Sequence, residues 1–200
     1  AMHMPSPNTV APAQGLYQPD EFKDNCGFGL IAHMKGESSH HLVETAIHSL
    51  SCMTHRGGIA ADGKTGDGCG LLLAMPKAFF REEAKKLSDI TLSEVFAVGT
   101  VFLNLDPAIA AHAKQILAKE IESEGLKVLA WRVVPTNVAA LGEIALRSMP
   151  AFEQIIVNCP MGVTEVEFNR KLFLARRRAE QLLINDSSFY VTTLCSTVIS

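Results

Sequence analysis

Residues 95–103 form an apolar run rich in valine and phenylalanine, interrupted only by Gly99 and Thr100. A run of this length reads as a strand; it is far too short for a membrane-crossing helix, which needs about 20 apolar residues. Asp106-Pro107 follows as a strong helix start, with proline at the first helical position, and Gly125 closes that helix. Residues 128–134 and 152–157 read as further strands. Thr164 and Glu167 have the spacing of a capping box for a long helix reaching about residue 184. Phe168, Leu172, Ala175, Ala179 and Leu182 are expected on its buried side, with Arg176-Arg177-Arg178 on the solvated one. Residues 189–199 read as a strand that ends before its hairpin partner. Strands and helices alternate only loosely, so the fold class is α+β.

Upstream, Lys35-Gly36-Glu37-Ser38-Ser39 makes a turn in which a serine caps a helix. Leu42, Val43, Ala46, Ile47, Leu50 and Met53 fall on one face of it, and His55-Arg56-Gly57-Gly58 ends it. A glycine-rich loop spans 63–70, a second strand 70–75, and Pro76 opens an amphipathic helix over 77–87. Residues 1–25, proline-containing and poor in apolar side chains, read as an extended leader. Ala1-Met2-His3-Met4 looks like a cloning remnant, with Met4 as a natural start.

With 48% hydrophobic residues and a net charge of -3, the composition is that of a soluble globular chain. It offers no basic footprint for nucleic acid and no polybasic patch for a membrane. The five cysteines are scattered and form no Cys-x-x-Cys pair, which argues against a disulfide framework or a zinc site and for a reducing cytoplasm.

The residues that bear chemistry are few. Asn25-Cys26-Gly27-Phe28-Gly29-Leu30-Ile31-Ala32 places a thiol at the lip of a short strand over 26–33, with bare glycine backbone beside it. Cys26 reads as a nucleophile; a buried thiol at a strand end is the plain alternative. Gly58-Ile59-Ala60-Ala61-Asp62-Gly63-Lys64-Thr65 matches the phosphate-loop pattern letter for letter, so a nucleotide-binding module is the runner-up reading. A phosphate loop, however, is fed by a strand and followed by a helix, and here the order is reversed. His41, His48 and His55 recur every seven residues, which suits an exposed helix face better than a metal site. Arg56 could favour a nearby thiolate, or simply complement a helix C-terminus.

Three stretches together resemble one family. Asp24-Asn25-Cys26-Gly27-Phe28-Gly29-Leu30-Ile31-Ala32, Met53-Thr54-His55-Arg56-Gly57-Gly58 and Ala61-Asp62-Gly63-Lys64-Thr65-Gly66-Asp67-Gly68-Cys69-Gly70 resemble the start of the glutamate synthase large-subunit family. Val133-Val134-Pro135-Thr136-Asn137, Leu141-Gly142-Glu143-Ile144-Ala145-Leu146 and Leu172-Phe173-Leu174-Ala175-Arg176-Arg177-Arg178 are similar to it as well.

The resemblance implies a glutamine amidotransferase of the N-terminal-nucleophile class, a four-layer αββα sandwich that would be incomplete here. Residues 26–200 would be the N-terminal part of that domain, truncated at the C-terminus, and 1–25 a propeptide cleaved between Asn25 and Cys26. Cys26 would be the nucleophile, with Arg56 beside it. Asp62, Gly63, Thr65, Gly66, Asp67 and Gly68 would form a loop near the active centre, without metal. The family's oxyanion-hole and carboxylate-binding residues would lie beyond Ser200, so this chain alone is expected to be inactive. Glutamine would be the substrate. Its ammonia would pass to 2-oxoglutarate in later domains of the large subunit, which use FMN, an iron–sulfur cluster and reducing equivalents, with a small NADPH-oxidising subunit as partner.

Overall fold

A computed structural model describes residues 27–53, 58–66 and 68–200. In chain order the elements are α1 (His40–Cys52), β1 (Leu73–Ala74), α2 (Lys77–Ser88), β2 (Phe96–Leu103), α3 (Pro107–Ser123), β3 (Lys127–Val133), α4 (Glu143–Arg147), β4 (Ala151–Asn158), α5 (Glu165–Leu182), β5 (Tyr190–Cys195) and β6 (Val198–Ile199). A single 3₁₀ turn, Val138–Ala140, precedes α4.

Local signals start the helices where the sequence reading expects them. Ser39 accepts from the Leu42 amide at α1, Asp106 from the Ala108 amide at α3, and Thr164 from the Glu167 amide at α5. Each supplies an acceptor to an amide that the first turn leaves unpaired. α3 ends before Gly125, whose φ of 76° is a conformation that glycine adopts without strain.

The apolar run becomes β2, and it is central. The four-stranded sheet has the order β3-β4-β2-β5, with every neighbouring pair antiparallel. β2 and β3 both run opposite to β4, so they are parallel to each other with β4 between them; α3 joins them. By the same reasoning α5 joins β4 to β5 across β2. Two interlocked split β-α-β units of this kind make a ferredoxin-like arrangement.

Alternation along β2 sorts its side chains between two cores. Ala97, Val101 and Leu103 pack with Ile155, Val157 and Val191 under α3 and α5, which contribute Ala113, Leu117, Ile121, Phe168, Leu172, Ala175 and Ala179. Phe96 and Val98 face the other way and join Ile156, Phe80 and Ala84 of α2, Leu92 and Ile199. α2 is further fixed by Arg132, whose guanidinium binds Glu83 at 2.8 Å and Gln154 at 3.0 Å. The mixed architecture, with two antiparallel sheets, is the α+β class that the sequence indicates.

Four sequence expectations need correction. The expected strand at 26–33 does not form over its described residues, which are irregular, with Phe28 and Leu30 about nine-tenths exposed. No described strand lies beside them to take up a ladder, and an unpaired strand has little to hold it. The strand expected at 70–75 shrinks to the two residues of β1. Leu182 is exposed and Leu183 takes the buried place, because the helix ends there and the chain turns. Residues 189–199 form two pieces: β5 pairs with β2, and β6 pairs with β1.

The arginine triplet lies on the solvated side of α5, as the sequence suggests, and is engaged in ion pairs. Arg176 and Arg177 share Glu180, while Arg178 reaches across to Glu120 and Glu124 of α3.

Gly99 marks the tightest place in β2. A β-carbon there would stand 2.8 Å from both Leu194 Cδ1 and the Thr193 carbonyl oxygen. Gly99→Ala is therefore expected to destabilise the protein by about 1–3 kcal/mol through overpacking. A denaturant titration reads this as a lower midpoint at unchanged slope.

Candidate active site

Residues 58–66 close on themselves before they touch anything else. Ile59 and Gly66 form an antiparallel bridge, the Ala60 amide donates to the Thr65 carbonyl at 2.7 Å, and the Gly63 amide to the Ala60 carbonyl at 3.0 Å. Gly63 has a φ of 70°, a conformation that glycine adopts without strain. Inside the turn, Asp62 Oδ1 accepts from the Lys64 amide at 3.0 Å and the Thr65 amide at 2.8 Å. Its other oxygen, Oδ2, accepts from Thr65 Oγ1 at 2.5 Å.

The same two side chains reach a segment some eighty residues away in sequence. The Ile144 amide donates to Asp62 Oδ2 at 3.1 Å, and the Ala145 amide to Thr65 Oγ1 at 3.2 Å. These amides occupy the second and third positions of α4, where a helix has no internal partner for them. The N-cap of α4 is Gly142, which has no side chain to offer. The loop therefore caps a helix from outside it. Gly142 has to be small for this to happen, because a β-carbon there would overlap both Asp62 Oδ2 and Thr65 Oγ1.

These donors hold the Asp62 carboxyl well below the usual carboxylate range; the Thr65 hydroxyl has the largest effect, followed by the Thr65 and Lys64 amides. Hydrogen bonds to the charged form favour it.

The phosphate-loop alternative fails on this geometry. The amides of Ala60, Gly63, Lys64 and Thr65, which would have to cradle phosphate oxygens, are all taken by the loop's own acceptors. An irregular stretch and the short β1 follow, where the mechanism requires a helix.

Of the other expected site residues, Gly66 closes the bridge and Gly68 is exposed. Asn25, Cys26, Arg56 and Asp67 lie outside the described residues, as does His55. Gly27 and Met53, described residues next to Cys26 and three before Arg56, lie close together: a β-carbon at Gly27 would stand 3.6 Å from Met53 Sδ. The residue after Cys26 and the C-cap of α1, three residues before Arg56, are thus neighbours.

His41 and His48 are exposed on α1, and His48 Nε2 lies 3.8 Å from Cys52 Sγ. Among the described residues no group of three or more His, Cys, Asp or Glu could hold a metal ion. The four described cysteines sit on separate parts of the fold, so these residues do not fit an iron–sulfur cluster.

The sequence reading did not single out the contact made by Gly142, Ile144 and Ala145. A five-residue helix without a side-chain cap carries no periodic signal, and its partner is remote.

A profile described as glutamine amidotransferases class-II matches residues 26–200, and the chain belongs to that family. It is 37% identical over 194 residues to a glutamate synthase [NADPH] large chain of Bacillus subtilis (strain 168), covering 96% of this chain and 13% of that protein. It is 39% identical over 186 residues to the protein of the same name from Azospirillum brasilense, covering 89% and 12%. Ferredoxin-dependent glutamate synthase 2 of Synechocystis sp. (strain ATCC 27184 / PCC 6803 / Kazusa) is 38% identical over 184 residues, covering 90% and 12%. The chain spans about an eighth of the length of these curated relatives.

The lowered Asp62 carboxyl fixes a sign. A group depressed in the folded state stabilises above its unfolded value, here 3.8, and that contribution is lost as pH falls through the folded value. Carboxyl-carbon NMR should show Asp62 ionised well below the ordinary range, and Thr65→Val should move its midpoint back upward. An unchanged midpoint in that variant would mean that the hydroxyl has no such effect.

Proposed function

We propose that this chain supplies the glutaminase centre of a glutamate synthase large chain, with Cys26 as its nucleophile. The observation that carries this reading is the family match, which begins at Cys26 itself. Removal of residues 1–25 would free the Cys26 α-amine. Such an amine titrates near 8 and a thiol near 8.5, so the two are closely matched and the amine can take the thiol proton. An amide nitrogen has no such basicity, so the uncleaved chain lacks its activator.

The thiolate then attacks the side-chain amide carbon of glutamine to give a tetrahedral oxyanion. Collapse breaks the C–N bond, and the ammonium proton leaves with the nitrogen as ammonia. The thioester that remains is hydrolysed by water, which gives one proton to the amine, and glutamate departs as the thiol re-forms. In this reading Arg56 stands beside the sulfur and favours its anionic form. Asp62, Gly63, Thr65, Gly66, Asp67 and Gly68 border the site, and the bond network around Asp62 keeps that border in one conformation.

We further place the four-layer αββα sandwich around the β1–β6 ribbon. These two strands are adjacent although more than a hundred residues separate them. The ferredoxin-like unit therefore leaves and re-enters the fold at one point, as an inserted unit does. The N-terminal segment and the ribbon are then the part that belongs to the sandwich.

Ammonia would pass to 2-oxoglutarate in other domains of the full-length protein, where FMN and an iron–sulfur cluster would supply the redox chemistry. A small NADPH-oxidising subunit is one source of electrons. The names of the relatives above divide between NADPH and ferredoxin, so similarity to this chain is not confined to one electron donor. No helix among the described residues is long and apolar enough to cross a membrane. A cytoplasmic site of action fits the free state of the four described cysteines.

Cys26→Ala in the full-length protein is expected to abolish ammonia release from glutamine while leaving the melting temperature within a few degrees. The mature wild-type protein should begin at Cys26 by intact mass. Active protein that still carries Asn25, or a Cys26→Ala variant that still turns over glutamine, would rule the assignment out.

A further inference from the structure

Asp62 and Thr65 make two kinds of bond, and only one kind is needed to shape their own turn. The Lys64 and Thr65 amides, the Ala60–Thr65 and Gly63–Ala60 backbone bonds and the Ile59–Gly66 bridge already define the hairpin. The bonds to Ile144 and Ala145 add nothing to that local shape. Their effect is to fasten the hairpin to α4, which sits on the connection between β3 and β4 of the ferredoxin-like unit.

Fastening matters here because the upstream segment has little other support. No residue of α1 is buried, and Ile59 is 70% exposed. The hairpin follows α1 by only a few residues, and the end of α1 lies close to the residue after Cys26. The contact of Asp62 and Thr65 with Ile144 and Ala145 is thus a tether between loop 58–66 and the connection that joins β3 to β4.

We propose that Asp62 is a positioning residue for the glutamine reaction, and that its carboxylate, with Gly142 as the required bare partner, holds loop 58–66 in the conformation that receives glutamine. The proposal rests on the reading of Cys26 as the glutaminase nucleophile. Asp62 itself touches no reacting atom: it acts through the loop. Placing the Asp62 carboxylate against the Ile144 amide and the Thr65 hydroxyl against the Ala145 amide satisfies two helix donors, and the contact loses nothing to a competing side chain because position 142 is glycine.

The test uses the full-length protein and three changes. Asp62→Asn keeps the size but turns a donor toward the Thr65 hydroxyl or the Ile144 amide. Gly142→Ala forces the same contact apart from the α4 side. Thr65→Ser keeps the hydroxyl and serves as the conservative control. Misplacing a substrate-positioning element by about 1 Å can cost up to about a hundredfold, so Asp62→Asn and Gly142→Ala should each lower kcat/KM for glutamine by about tenfold to a hundredfold. Most of the loss should fall on KM, and Thr65→Ser, which retains the hydroxyl of the tether, should lose less than either of them. The double variant should be no worse than the poorer single one, because both break one contact.

A second readout separates positioning from general damage. A chloroketone analogue of glutamine alkylates the Cys26 thiolate with loss of chloride and needs the substrate loop; iodoacetamide attacks the same sulfur without it. Asp62→Asn and Gly142→Ala should slow the first reagent tenfold or more and leave the second within about twofold. Equal slowing of both reagents with a lowered melting temperature would show a merely structural role and overturn the proposal. Wild-type kinetics in both variants, with Cys26→Ala dead, would sink it while leaving the glutaminase reading intact. Turnover by Cys26→Ala would remove both together.

Discussion

The burial of β2 on both faces is the constraint on which the rest of this fold depends. A strand with apolar side chains on alternate sides demands cover twice over. α3 and α5 supply it on one face, and α2 with Leu92 and Ile199 on the other. Ten of the apolar residues beneath α3 and α5 belong to those helices or to the strands beside β2 and are fully shielded, so that face forms a closed core. Surface charge adds less. Arg178 with Glu120 and Glu124 ties the outer sides of the two helices together, but partly exposed pairs of this kind typically contribute about 0–1 kcal/mol. The helices pack because of Ala113, Leu117, Leu172 and Ala175; the ion pairs fix the register of an association that burial already favours.

That division shows which parts of the chain could be read from its sequence. β2, α3 and α5 were legible because each carries its own signal: a continuous apolar run, a proline at N1, a capping threonine. β4 was legible for the same reason. The pairing order was not, since β2 finds its neighbours β4 and β5 in segments far along the chain, and no local pattern encodes that. The expected strand at 26–33 illustrates the opposite failure. Its glycines and apolar residues look strand-like, yet a strand is completed by a partner, and no described segment supplies one.

The candidate site follows the same rule. The glycine-rich stretch 63–70 was legible as a loop, and the letters of 58–65 suggested phosphate binding. What decides its nature is where its amides go, and they go to Asp62 and to the loop's own carbonyls. A pattern match specifies residue types, whereas a phosphate cradle requires amides without partners. The contact with Gly142, Ile144 and Ala145 was invisible in sequence because α4 is too short to show periodicity and its cap is borrowed from another segment.

A helix of five residues has almost no stability of its own, since nucleation costs more than so few bonds return. The Glu143–Arg147 helix therefore depends on Asp62 and Thr65 for partners to its first-turn amides, whereas the hairpin's own bonds already set its local shape. Four hydrogen bonds reach one carboxylate, two from loop amides, one from the Thr65 hydroxyl and one from the remote helix, so a single side chain shapes the turn and fastens it to a segment some eighty residues away.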